Sequence, residues 1–154
     1  MNKTALLDTL HHWINKRPGL DPRDYVRDWT DREGLKTYRA EARSITRDLH
    51  AARAMLAYIE RRDSITAADI LAASRDSFSG RLTIRPEGEG FSIDYCTGQY
   101  WPTEYRRAVA AVAASVIWNR LREDLPPETE HKGDAIRKAA RRELGAPLAR
   151  RFFN

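Results

Sequence analysis

Gly80-Arg81-Leu82-Thr83-Ile84-Arg85-Pro86-Glu87-Gly88-Glu89-Gly90-Phe91-Ser92-Ile93-Asp94-Tyr95 is the stretch that decides the fold, because its apolar residues alternate with polar ones. Leu82 and Ile84 alternate with Thr83 and Arg85, and Phe91, Ile93 and Tyr95 with Ser92 and Asp94, while Pro86 to Gly90 supplies turn residues between the two runs. The pattern predicts a β-hairpin with one apolar face. Two strands alone are marginal in water, so that face must be covered by helices on either side. The expected fold is therefore a mainly helical α+β domain of about five helices, with one hairpin inserted before a central Ala-rich helix.

Downstream of the hairpin, Cys96-Thr97-Gly98-Gln99 reads as a tight loop, and Pro102 suits the first turn of a helix running to Asp124. Tyr105, Val109, Val112, Val116, Ile117 and Leu121 give that helix a core face. Ala108, Ala110, Ala111, Ala113 and Ala114 make it thin enough to be packed on several sides, so it is expected to be the most buried element. Pro126-Pro127 ends it. Asp134 is expected to cap a further helix through Leu144, which Gly145 terminates, and Pro147 to start a last turn ending at Phe152-Phe153.

Upstream, Leu6, Leu7, Leu10, Trp13 and Ile14 recur at helical spacing after a candidate cap at Thr4, and Pro18-Gly19 stops that helix. Residues 17–34 read as an irregular connection pinned by Tyr25 and Trp29. The longest helix is expected from about Leu35 to Arg62, on the stripe Tyr38, Ala42, Ile45, Leu49, Ala52, Leu56 and Ile59. Thr66 and Asp69 then form a variant capping box for a third helix to about Asp76.

A chain of 154 residues, 42% of them apolar and 32% charged, fits a single domain, 1–154. It divides into N-terminal helices over 1–79, the hairpin over 80–95, the central helix over 102–124 and a basic C-terminal part over 134–154. One cysteine excludes an internal disulfide, and no early stretch has signal-peptide or membrane-span character, so a soluble intracellular protein is expected with no membrane partner. The net charge of +5 is uneven: residues 1–132 carry 21 Lys and Arg against 20 Asp and Glu, and residues 133–154 carry 6 against 2. Such asymmetry points to an acidic partner, either nucleic acid or an acidic protein surface.

The usual signatures of catalysis are missing. Cys96 precedes a helix N-terminus, which lowers a thiol pKa, but no histidine is placed beside it as a base, and a lone cysteine is as readily a core residue. His11 and His12 are adjacent and so point roughly 100° apart on a helix, unfit as paired ligands. There is no Cys-x-x-Cys, no His-x-x-x-His and no phosphate-cradling glycine loop. No enzyme, metal or cofactor is expected; a cysteine-dependent enzyme is the alternative.

Binding is the stronger signal. Arg39, Arg43 and Arg47 step by four and lead on to His50 and Arg53; like charges at that spacing cost roughly 0.2 to 0.5 kcal/mol per pair. Either carboxylates offset them, with Glu41, Asp48 and Glu60 as candidates, or they face an anionic ligand. In the C-terminal part Arg137 and Arg141 lie four apart, as do Lys138 and Arg142, and Arg150 and Arg151 follow. Clusters of this kind neutralise phosphates with counterion release, without reading base sequence. Tyr95, Tyr100, Trp101 and Tyr105 interleave with Arg106 and Arg107, a mixture that stacks bases or forms a protein hot spot, or simply fills the junction of hairpin and helix. The apolar registers of Tyr95 and Tyr105 favour filling; Tyr100 and Trp101, on the loop, are the candidate binding rings.

Arg17-Pro18-Gly19-Leu20, Arg43-Ser44-Ile45-Thr46-Arg47-Asp48, Phe78-Ser79-Gly80-Arg81-Leu82, Asp94 through Arg107, Gly133-Asp134-Ala135-Ile136-Arg137 and Ala140-Arg141-Arg142-Glu143 resemble segments of a family of small proteins carried by bacterial phages and integrated mobile elements. The resemblance spans most of the chain and carries no catalytic residue with it. It implies a bacterial host cytoplasm and an accessory role for the element. Small accessory proteins of such elements often disable host defence complexes, anti-CRISPR proteins among them, which is an analogy of setting. The expectation is a non-enzymatic protein that binds and inhibits a host nucleic-acid-handling or defence complex, a protein or nucleoprotein assembly, through its basic and aromatic surfaces. The alternative is a direct, weakly sequence-selective DNA- or RNA-binding protein.

Overall fold

The computed structural model describes residues 2–15, 32–76, 82–95 and 102–154. Among them the chain forms helices α1 (Lys3–Asn15), α2 (Arg32–Arg61) and α3 (Ala67–Asp76), strands β1 (Leu82–Glu87) and β2 (Gly90–Tyr95), and helices α4 (Pro102–Asp124), α5 (Lys132–Leu144) and α6 (Ala146–Phe152). The architecture is mainly helical α+β, with an antiparallel hairpin between α3 and α4. Six described helices replace the expected five or so because Gly145, at φ 88°, breaks the basic tail and a separate helix restarts with Pro147 in its first turn.

The hairpin is tighter than the sequence suggests. Pro86, Glu87 and Gly90 belong to the strands, and Gly88-Glu89 alone form the loop, with positive φ at Gly88, as in the II′ turns that match strand twist. In a two-residue hairpin the closing pair, Glu87 and Gly90, exchanges hydrogen bonds, so Pro86 opposite Phe91 falls at a non-bonded pair. Its missing N–H therefore faces the free edge and costs no ladder bond. The same register puts Leu82, Ile84 and Ile93 on one face, all buried, with Phe91 packed at its margin. β1 lies against α3 and α4, and β2 against α1.

Helix α4 is the hub, in contact with α1, α2, α3, α5 and β1. Tyr105, Val109, Ala110, Val112, Ala113, Val116, Ile117 and Leu121 are all buried, so little of its circumference reaches water. Small side chains allow this close approach of neighbouring backbones. Leu6, Leu10 and Ile14 of α1 and Met55, Leu56 and Ile59 of α2 close around it.

Three helix starts differ in detail from expectation. Asn2, not Thr4, caps α1: its Oδ1 accepts the Ala5 N–H at 3.3 Å. Helix α2 begins at Arg32, within the stretch expected to be irregular, whereas Tyr25 and Trp29 lie outside the described residues. Helix α5 starts at Lys132 after His131, which takes a left-handed φ of 52° with no side-chain cap, so Asp134 is not the cap. It sits in the first turn, where its charge still complements the helix dipole. The Thr66–Asp69 box forms as read: the Thr66 N–H donates to Asp69 Oδ2 at 2.8 Å, and the Asp69 N–H to Thr66 Oγ1 at 3.3 Å.

Candidate functional site

The outer face of α2 carries Lys36, Arg39, Arg43, Arg47, His50 and Arg53, all exposed. A step of four residues advances about 6 Å along the axis, so Arg39, Arg43 and Arg47 span about 12 Å of one face. Their helix periodicity leaves them there because Ala52, Met55 and Ile59 take the opposite side into the core.

Asp48 does not offset this row. It steps by four, three and four to Ala52, Met55 and Ile59, so it occupies the core stripe and is only 4% exposed. There its carboxylate accepts from Arg151 of α6 and lies 3.5 Å from Arg107 Nε of α4. Glu60 is thirteen residues beyond Arg47, about 20 Å along the helix, and the side chain of Glu41 lies outside the described ones. Among the described side chains, Asp48 and Glu60 are thus not placed to soften the row.

Arg106 is a correction. Expected at a binding surface, it is 8% exposed and donates from Nε to the Ile14 carbonyl at 2.9 Å. Burial, then the nearby Arg53 charge, push its guanidinium below the ordinary arginine pKa, while Asp48 acts in the opposite sense. Its neighbour Arg107, 100° around the helix, is outside: its side chain is 71% exposed and Nη2 lies 3.5 Å from Ser44 Oγ. Arg53 is exposed and donates to Asn15 Oδ1, tying α2 to the end of α1.

On α5, Ile136, Ala139 and Ala140 face the core and leave Lys138, Arg141 and Arg142 exposed. Arg137 separates from them: Nη1 pairs with Asp134 at 3.1 Å and the guanidinium lies 5.8 Å from the Trp118 ring. Arg150 is exposed, and Arg151 bends to Asp48, beside Arg47, so the tail is anchored at the end of the α2 row. Tyr105 is buried and packs 4.6 Å from Trp13, the filling role its register suggested. Tyr100, Trp101 and Cys96 lie outside the described residues.

An open groove of about 350 Å³ runs between α3, α4 and α6, lined by Ala73, Ala111, Ala114, Trp118 and Phe152, with Ser115 and Asn119 as polar side chains. Neither is an acid or base, so that lining offers shape and apolar contact rather than proton transfer. Among the described residues no three His, Cys, Asp or Glu side chains are grouped to hold a metal ion, and no helix is long and apolar enough to cross a membrane. Sequence reasoning missed Asp48 as a buried node, although its place in the 48-52-55-59 stripe was visible.

Compared with protein-family models, curated proteins and solved structures, the chain matches none.

Proposed function

We propose that the protein works without catalysis, in the cytoplasm of a bacterial host, by engaging the nucleic-acid component of a host nucleic-acid-handling complex through its cationic helix faces. Occupying that component inhibits the complex, in keeping with an accessory role for a phage or integrated element. The observation that carries this reading is the α2 row. Arg39, Arg43 and Arg47 stay exposed while Asp48, next to Arg47 in sequence, is turned inward to other arginines. Like charges at i, i+4 are unfavourable in the free helix, and phosphates relieve that repulsion on binding.

The test is binding of short duplex and single-stranded DNA across a salt series. Steeply salt-sensitive affinity is expected, and Arg39→Gln/Arg43→Gln/Arg47→Gln lowers the duplex slope of log K on log salt by nearly three, at about 0.9 for each phosphate that is no longer neutralised. An unchanged slope in the triple variant, or no binding by the parent protein, overturns the reading and moves the partner to an acidic protein surface of such a complex.

A further inference from the structure

Among the described residues, the mouth between α2, α4 and α6 gathers more positive charge than Asp48 balances. Asp48 is 4% exposed and is approached by Arg151 and Arg107, while Arg106, 8% exposed, interacts electrostatically with both Asp48 and Arg53. Among the described residues, Arg151 and Arg107 thus meet at one buried carboxylate, and the charge of Arg106 acts on it as well. One carboxylate shared by these guanidiniums leaves the described mouth with net positive charge that an incoming anion can match.

The two outer arginines are held differently. Arg151, its side chain 35% exposed, bonds Asp48 directly and is fixed. Arg107 is 71% exposed and loosely tethered, with Nε 3.5 Å from Asp48 and Nη2 3.5 Å from Ser44 Oγ. A guanidinium offers five N–H donors in a planar fork, and those two long contacts leave most of Arg107's fork to an incoming group. We propose that this mouth is a phosphoryl-anion site, in which Arg107 and Arg151 grip the anion's oxygens beside the Ser44 hydroxyl while Asp48 holds the guanidiniums in place from beneath. A tetrahedral oxyanion accepts two parallel N–H bonds from one guanidinium, which a halide ion does not.

The ligand chemistry is a phosphate oxygen, supplied by a nucleic-acid backbone or by free phosphate. The backbone is the source we assign, which rests on the proposed function: Asp48 and Ser44 lie about 100° around α2 from Arg47 and Arg43, so the mouth flanks the α2 row on the side of α4 and α6. A strand lying along the row would place a phosphate there.

Two measurements test it. Arginine Nε–Hε resonances are followed as inorganic phosphate is added, against sodium chloride at matched ionic strength; saturable shifts at Arg107 and Arg151 with phosphate alone are expected. Arg107→Gln, at a largely exposed position, keeps the fold, abolishes the saturation at Arg151 and lowers the DNA salt slope by about one. Shifts that follow chloride equally, or a phosphate isotherm that Arg107→Gln leaves unchanged, overturn the site. Phosphate saturation without DNA binding keeps the anion site and assigns it to free phosphate, against the nucleic-acid reading. DNA binding with neither phosphate saturation nor a changed slope in Arg107→Gln overturns the site and leaves that reading standing.

Discussion

Arg106 on α4 closes the end of α1: its Nε donates to the Ile14 carbonyl at 2.9 Å across 92 residues of sequence. Ile14 is the penultimate residue of α1, and the last four carbonyls of a helix have no intrahelical donor. A guanidinium satisfies one of them and also complements the negative end of the helix dipole. The same bond fixes where α1 stops against the central helix, and Trp13 stacking on Tyr105 packs the adjacent turn.

Replacing Arg106 by Met keeps much of the side-chain volume and leaves the Ile14 carbonyl without its charged donor. Unfolding by urea is expected to show a loss of about 2 kcal/mol, the range for a hydrogen bond to a charged group. DNA affinity, compared under conditions where both proteins are folded, is expected to keep its salt slope. A lowered slope would return Arg106 to the binding surface.

The entrance of α3 is set by reciprocal bonds between Thr66 and Asp69, which satisfy the Thr66 and Asp69 N–H groups. Ile65, 1% exposed, and Ala67 bracket the cap and seat it on the core. Thr66→Ala is expected to cost about 1 kcal/mol of stability in urea unfolding, with Thr66→Ser recovering most of it. If Ser and Ala behave alike, the hydroxyl is not what holds the turn.

How much of this was legible depended on whether side-chain direction follows from local spacing. The hairpin, the Pro102–Asp124 helix and the Thr66 box were readable because period-two alternation, an Ala-rich run behind a proline and a cap three residues from its carboxylate are local patterns. The start of α5 was not, since His131 turns the chain through a left-handed φ that only a few per cent of non-glycine residues adopt. Arg106 and Arg107 look alike in sequence, yet α4 is buried around most of its girth, so one of two arginines 100° apart falls inside. Asp48 was read by residue type as a surface carboxylate, although its position in the apolar stripe said otherwise. Of the candidate site, the α2 row and the α5 cluster were legible from charge spacing, whereas the α6 anchor at Asp48 needed the tertiary fold.

Ala110 is fully buried in the middle of α4, where its methyl group is all the space allows. Ala110→Leu inserts three heavy atoms between packed helices, and overpacking of this kind costs about 1 to 3 kcal/mol even though leucine is a good helix former. Ala→Leu at the exposed Ala72 of α3 supplies the control and is expected to stay within about 0.5 kcal/mol of the parent. Equal effects at the two positions would contradict the close approach around α4.

Asp124 ends α4 between two arginines: Arg62 Nη2 lies 2.7 Å from Oδ2 and Arg120 Nη2 3.0 Å from Oδ1, while Arg62 Nη1 also donates to the Tyr58 hydroxyl at 2.8 Å. Partial burial works to raise the carboxyl pKa, but the hydrogen bonds from Arg62 and Arg120 outweigh it and hold the group below its ordinary value of 3.8. The unfolded chain therefore binds the proton first as pH falls. The ion pair contributes fully at neutral pH, and its contribution is lost as pH drops through the ordinary carboxylate range and then through the lower folded value. With the Asp124 side chain 40% exposed, solvent screens the pair, and its worth is about 0.5 kcal/mol. Asp124→Asn should lower the urea midpoint at about pH 7 and differ less from the parent at about pH 3. A gap that stays constant between the two pH values would mean that the carboxylate's charge contributes nothing, and that Arg62 is held by Tyr58 alone.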